Sequence, residues 1–137
     1  DPDMRTLIMS RMDAMAADIA RAYGGSATIQ WQNNTVVTYN DPNLTSQMVP
    51  SLEAVAGADN VQITKATTGG EDFSYYQEVV PGFFFFLGGM APGNTEPFPH
   101  HTPDFKVEDS GMKLGVQALS QVALDYLQLN WSTKDGH

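Results

Sequence analysis

Pro81-Gly82-Phe83-Phe84-Phe85-Phe86-Leu87-Gly88-Gly89 decides how the rest of the chain is read. Five consecutive apolar residues between glycines have the length and aromatic content of a strand buried on both faces. Alternation along such a strand sends two of the four phenylalanine rings to each side. A loop rich in Gly, Pro and Asn follows, and then Pro97-Phe98-Pro99-His100-His101-Thr102-Pro103-Asp104-Phe105. A buried strand that empties into a loop carrying imidazoles and a carboxylate is where an α/β enzyme places its chemistry.

Outward from this stretch, helices are expected on both sides. Asp1 can cap a helix over residues 2–23, with Pro2 at its first position and Gly24-Gly25 as its stop. Met4, Ile8, Met12, Met15, Ile19 and Tyr23 form one apolar stripe on it. Residues 26–32 alternate as a half-buried strand, and Asn33-Asn34 marks a boundary. Thr35 to Tyr39 is short and extended. Asp41-Pro42 repeats the capping signal and opens a second helix that runs to Gly57, with Pro50 placed to kink or split it. Val61 to Thr64 reads as a strand and residues 71–79 as a helix with Glu71 and Asp72 in its first turn. A last helix starts near Val107–Ser110, with Leu114, Ala118, Val122 and Tyr126 in one row and Leu119, Ala123 and Leu127 beside it. Asn130 to His137 reads as a polar tail. The order from residue 36 is strand, helix, strand, helix, strand, loop, helix, which predicts an α/β fold with a mixed sheet covered by helices.

Composition narrows the function. The 137 residues suffice for a modest core, and 42% of them are apolar. The net charge of −9, from 16 acids against 7 bases, argues against nucleic acid and anionic membrane as partners. It leaves room for an anionic small substrate. The chain has no cysteine, so neither disulfides nor thiolate metal sites arise within it. No apolar run approaches the length of a membrane span. The opening Asp1-Pro2-Asp3, without an initiator Met, points to a boundary or a cleavage point.

Two motifs could carry chemistry. A histidine on the loop at 100–101 can be a metal ligand, a general base or a solvated side chain. Adjacent side chains in extended backbone diverge, so His100 and His101 would not hold one ion together. Pro99 and Pro103 stiffen the loop on either side. One imidazole is not a site, since a catalytic zinc takes about three protein ligands. The second motif is Thr67-Thr68-Gly69-Gly70-Glu71-Asp72-Phe73. Its glycines could let backbone N–H groups converge on a substrate carboxylate, or it could be an ordinary turn before an acidic helix start. It lacks the Gly-Lys-Ser/Thr element of a phosphate loop.

Thr68-Gly69-Gly70-Glu71-Asp72-Phe73-Ser74-Tyr75-Tyr76, Val80-Pro81-Gly82 with the phenylalanine run, His101-Thr102-Pro103-Asp104-Phe105 and a long helix beginning near Glu108 together resemble the C-terminal part of an M20-family metallopeptidase. The group it is most similar to contains the aminoacylases, hippurate hydrolases and indoleacetyl-amino-acid hydrolases. Residues 1–33 resemble the last helix and strand of that family's inserted α+β lid, or dimerisation, domain, and 34–137 the C-terminal part of its zinc-peptidase-like catalytic domain.

The resemblance implies a site with two divalent metal ions, zinc or manganese, that cleaves N-acyl amino acids or small peptides. It implies His101 as the last metal ligand, Thr68, Gly69 and Gly70 beside the substrate, and Glu71, Asp104 and His100 as candidates to orient a ligand. His100 departs from the pattern, where an apolar residue is common. The remaining ligands and the general base would come from a missing N-terminal part of the same protein, and a homodimer would be compatible with the lid. A different reading is a non-catalytic interaction or dimerisation module in which residues 1–33 pair with a second copy. A third is a small-ligand binding domain that uses the Gly-Gly turn for an anion.

Overall fold

The computed structural model describes residues 1–32, 35–91, 93, 94, 96 and 99–132. Among the described residues there are four α-helices: α1 (Pro2–Ala22), α2 (Pro42–Ala56), α3 (Ser74–Gln77) and α4 (Met112–Ser132). Two single 3₁₀ turns, Ala58–Asn60 and Asp109–Gly111, follow α2 and precede α4.

The helix starts follow the capping chemistry. The Asp1 carboxylate accepts the N–H of Met4 at 2.9 Å, with Pro2 at the first helical position. The Asp41 carboxylate accepts the N–H of Leu44 at 2.8 Å, with Pro42 in the equivalent place. At the far end of α1, Gly24 adopts φ +76°. Its N–H reaches Arg21 O at 3.0 Å, and that of Gly25 reaches Ala20 O at 2.8 Å. This crossed pair of bonds satisfies the last carbonyls, and the left-handed position suits glycine. Gly57, at φ +85°, ends α2. Pro50 does not split α2, which continues to Ala56.

The core lies where α2 crosses α4. Met48 and Leu52 on α2 and Ala118 on α4 are buried, and burying Met48 or Leu52 stabilises by about 1.5–3 kcal/mol each. Ser51 is buried beside them and hydrogen-bonds the carboxylate of Asp125 on α4. Gln121 Nε2 donates to the same carboxylate at 2.9 Å. These two bonds hold the half-buried Asp125 below its ordinary pKa of 3.8, against a smaller opposing effect of burial.

The expected mixed sheet is corrected: among the described residues there is no β-strand. The expected strands at 26–32, 61–64 and 83–87 all lack ladder bonding. The reason is visible around Phe84. Its N–H and its carbonyl both bond the side chain of Asn40, each at 2.7 Å. Gly82 O accepts from Asp41 N at 3.0 Å, and Gly89 O from Glu108 N at 2.9 Å. These are isolated bonds to a side chain and to single amides, whereas a sheet needs a run of them along a neighbouring backbone.

The phenylalanine run keeps an extended alternation. Phe83 pairs with Phe85 at 5.7 Å between ring centroids, and Phe84 with Phe86 edge-on at 5.2 Å. Burial on both faces is not achieved: Phe86 is 62% exposed and Leu87 44%. Ile63 is fully exposed, so the 61–64 stretch has no covering layer either.

Other boundaries shift. The helix expected over 71–79 is the single turn α3. The last helix starts at Met112, after its 3₁₀ turn, and takes in Asn130 to Ser132. The rest of the expected tail, and the Asn33-Asn34 boundary, lie outside the described residues.

α1 contacts no other helix among the described residues, and none of its side chains is buried. Its return segment is tied to it by side chains. Trp31 Nε1 donates to the Asp13 carboxylate at 3.1 and 3.2 Å, and Arg5 Nη1 donates to Thr35 O at 3.3 Å.

Candidate functional site

The Gly-Gly turn is built between two segments. Thr68, Gly69 and Gly70 lie in exposed, irregular backbone ahead of α3. Glu71 then closes the turn on itself. Its Oε1 accepts the N–H of Phe73 at 3.1 Å, and its carbonyl accepts the Ser74 hydroxyl at 2.6 Å and the Ser74 N–H at 3.2 Å. The N–H groups of Phe73 and Ser74 are therefore taken by Glu71. Ser74 has no exposed surface, and its Oγ also accepts the N–H of Val36 at 3.3 Å.

The two glycines differ. A Cβ on Gly70 would stand 3.1 Å from Thr35 Oγ1 and 3.5 Å from Thr35 Cγ2. A Cβ on Gly69 would meet nothing within 4 Å. A Cβ at position 70 would thus be met tightly by Thr35, whereas position 69 is open.

The histidine loop is a series of turns rather than extended chain. Thr102 Oγ1 donates to Pro99 O at 2.8 Å, and Phe105 N to Thr102 O at 3.1 Å. His101 sits at φ +63°, a left-handed position that only a few per cent of non-glycine residues occupy. The two imidazoles stand 6.5 Å apart with their planes at 52°. His100 leans on the ring of Phe105, with centroids 4.7 Å apart. The extended backbone expected here is therefore replaced by a left-handed turn at His101, with an aromatic contact at His100. His100, His101 and Asp104 are exposed.

No group of three His, Asp or Glu side chains among the described residues could hold a metal ion. His101, His100, Asp104 and Glu71 are not gathered into one centre by this chain. A shallow depression of about 300 Å³ is lined by Tyr39, Asp41 and residues 77–82, none of them a residue of either motif. No helix among the described residues is long and apolar enough to cross a membrane.

Sequence reasoning missed Thr35, Asn40, Ser74 and Gln77, the polar residues that fix the frame of the site. Gln77 Oε1 accepts the N–H of Tyr39 at 2.9 Å, and its Nε2 lies 3.5 Å from Asn40 Oδ1. A mixed polar and apolar stretch gives no periodic signal for such bonds. The Thr/Asn content of residues 35–40 was the available hint, because these side chains bond backbone readily.

Comparison with known proteins agrees with the motifs. The chain is 33% identical over 113 residues to an N-acetyldiaminopimelate deacetylase of Geobacillus, covering 80% of this chain and 29% of that protein. It is 26% identical over 127 residues to thermostable carboxypeptidase 2 of Saccharolobus solfataricus, covering 92% of this chain and 32% of that one. It is 29% identical over 109 residues to the uncharacterized hydrolase y4tI of Sinorhizobium fredii, covering 80% and 27%. The chain spans about a third of the length of the curated relatives it matches. No solved structure matches it. The family model for Peptidase family M20/M25/M40 matches residues 8–125, from within α1 to within α4, and the chain belongs to that family.

Proposed function

We propose that this chain is the C-terminal segment of a metal-dependent amidohydrolase or peptidase that hydrolyses the amide bond of N-acyl amino acids or small peptides. The observation that carries the reading is the family match over residues 8–125, which takes in the Gly-Gly turn and the histidine loop together. The names of the relatives, a deacetylase, a carboxypeptidase and a hydrolase, support hydrolysis at a carbonyl. Residues 1–33 would belong to the lid domain and 34–137 to the catalytic domain.

This chain's residues fit one corner of a metal site. His101 offers an exposed imidazole, a donor that suits zinc. The other ligands and the general base would come from the N-terminal part of the same protein. Two divalent ions, zinc or manganese, would when bound polarise the scissile carbonyl and activate water. The backbone of Thr68, Gly69 and Gly70 would face the substrate's carboxylate. Glu71 would hold that turn in shape through its bonds to Phe73 and Ser74, and Asp104 and His100 would support the histidine loop. Metal analysis and turnover of N-acetyl amino acids by the whole protein test this reading. Absence of both metal and turnover would refute it.

A second reading has its own observation. Met4, Ile8, Met12, Met15 and Ile19 on α1 are between 45% and 63% exposed, an apolar stripe that a partner would cover. In that reading residues 1–33 form a dimerisation or interaction module, and a second copy is the partner. Light scattering on the whole protein, with and without Met12→Glu, separates a dimer that depends on the stripe from one that does not.

A further inference from the structure

We infer that Thr35 is a positioning residue for the Gly-Gly turn, holding Gly70 in place by direct packing and tying the turn to α1. The inference rests on the reading of that turn as the wall beside the substrate.

Three observations converge on Thr35. Its side chain covers Gly70 so closely that a Cβ there would lie 3.1 Å from its hydroxyl. Its carbonyl accepts Arg5 Nη1 of α1 at 3.3 Å. The next residue, Val36, is fixed through its N–H to the fully buried Ser74, whose hydroxyl also grips Glu71 O at 2.6 Å. The C-terminal end of the turn is therefore held at two adjacent residues: Glu71 by Ser74, and Gly70 by Thr35. Thr35 is half-buried and β-branched, so its side chain has few rotamers to retreat into. The peptide unit that follows it is anchored at both its carbonyl and its N–H. When a methyl group is added at Gly70, the turn moves rather than Thr35. Gly69, with open space around it, has no such tie.

Four variants of the whole protein test this, assayed on a panel of N-acetyl amino acids together with hydrogen exchange across residues 66–73. Gly70→Ala displaces the turn by a few tenths of an ångström. It should lower kcat/KM by roughly tenfold, mainly through KM, because small displacements of positioning groups are costly. It should also speed exchange across the turn. Thr35→Ala in the Gly70→Ala background removes the obstructing atoms and should recover most of the KM and of the protection. Thr35→Ser alone should behave as wild type. A Cβ at Gly69 meets no described residue within 4 Å, so a raised KM in Gly69→Val is expected to report the substrate rather than packing against Thr35.

If Gly70→Ala leaves KM and exchange unchanged, or the Thr35→Ala double variant is no better than Gly70→Ala alone, Thr35 does not set the turn. That result leaves the substrate reading standing so long as Gly69→Val raises KM. If Gly69→Val and Gly70→Ala both leave KM unchanged, the turn is not beside the substrate and both ideas fall.

Discussion

The side-chain amide of Asn40 pairs with both backbone groups of Phe84: Nδ2 donates to the carbonyl and Oδ1 accepts the N–H, each at 2.7 Å. One carboxamide does for Phe84 what a neighbouring strand would do. Asn40→Ala leaves a partly buried donor and acceptor without these partners, and should destabilise the fold by about 2–4 kcal/mol. Asn40→Asp keeps the acceptor, loses the donor and should fall between the two. Urea unfolding of the three proteins gives the order; an Asn40→Ala midpoint equal to wild type would show that the pair contributes nothing.

Two glycines should respond oppositely to alanine. A Cβ on Gly82 would lie 2.5 Å from Gln77 Cγ, and Gln77 is held by its bond to the Tyr39 N–H at 2.9 Å. Gly82→Ala should therefore cost about 1–3 kcal/mol of overpacking. A Cβ on Gly115 would lie 2.8 Å from Leu87 Cδ2, the end of a half-exposed side chain free to rotate. There the gain in helix propensity of up to about 1 kcal/mol offsets the shift. Thermal melts of both variants check the contrast; equal losses would contradict it.

Much of this was legible beforehand, and for local reasons. Asp1-Pro2 and Asp41-Pro42 mark their helix starts because capping needs only residues within one turn. Gly24 marks its stop because only glycine takes the left-handed position readily. The pairing of alternate phenylalanine rings follows from extended backbone. The sheet was misjudged because an apolar run encodes extension but not what lies beside it. In Phe83 to Leu87 the neighbour is Asn40, whose role has no periodic trace. His101 was singled out from its loop, yet its left-handed φ and the contact of His100 with Phe105 depend on turn geometry that the prolines alone do not specify.

Asp125 links stability to acidity. Its hydrogen bonds to Ser51 and Gln121 hold its folded pKa below the ordinary 3.8. The group therefore adds stability in full above the unfolded value and loses it as pH falls through the lower folded value. Wild-type stability should drop between pH 5 and pH 3 by more than that of Asp125→Asn, which has no charge to lose. Urea midpoints at the two pH values test this; identical drops would remove Asp125 from the acid response.

In the whole protein His101, not His100, should face a metal. His101→Gly suits the φ of +63°, so any deficit reports the imidazole and not backbone strain. His100→Ala perturbs the same loop and removes the contact with Phe105. The decisive measurement is bound metal per protein, with turnover of N-acetyl amino acids alongside. Losing a partner that merely orients a ligand typically costs 10–100-fold in affinity or activity, so loss of the ligand itself should cost about that or more. His101→Gly should lose metal and kcat together while His100→Ala keeps both; metal lost from His100→Ala but retained by His101→Gly would reverse the assignment.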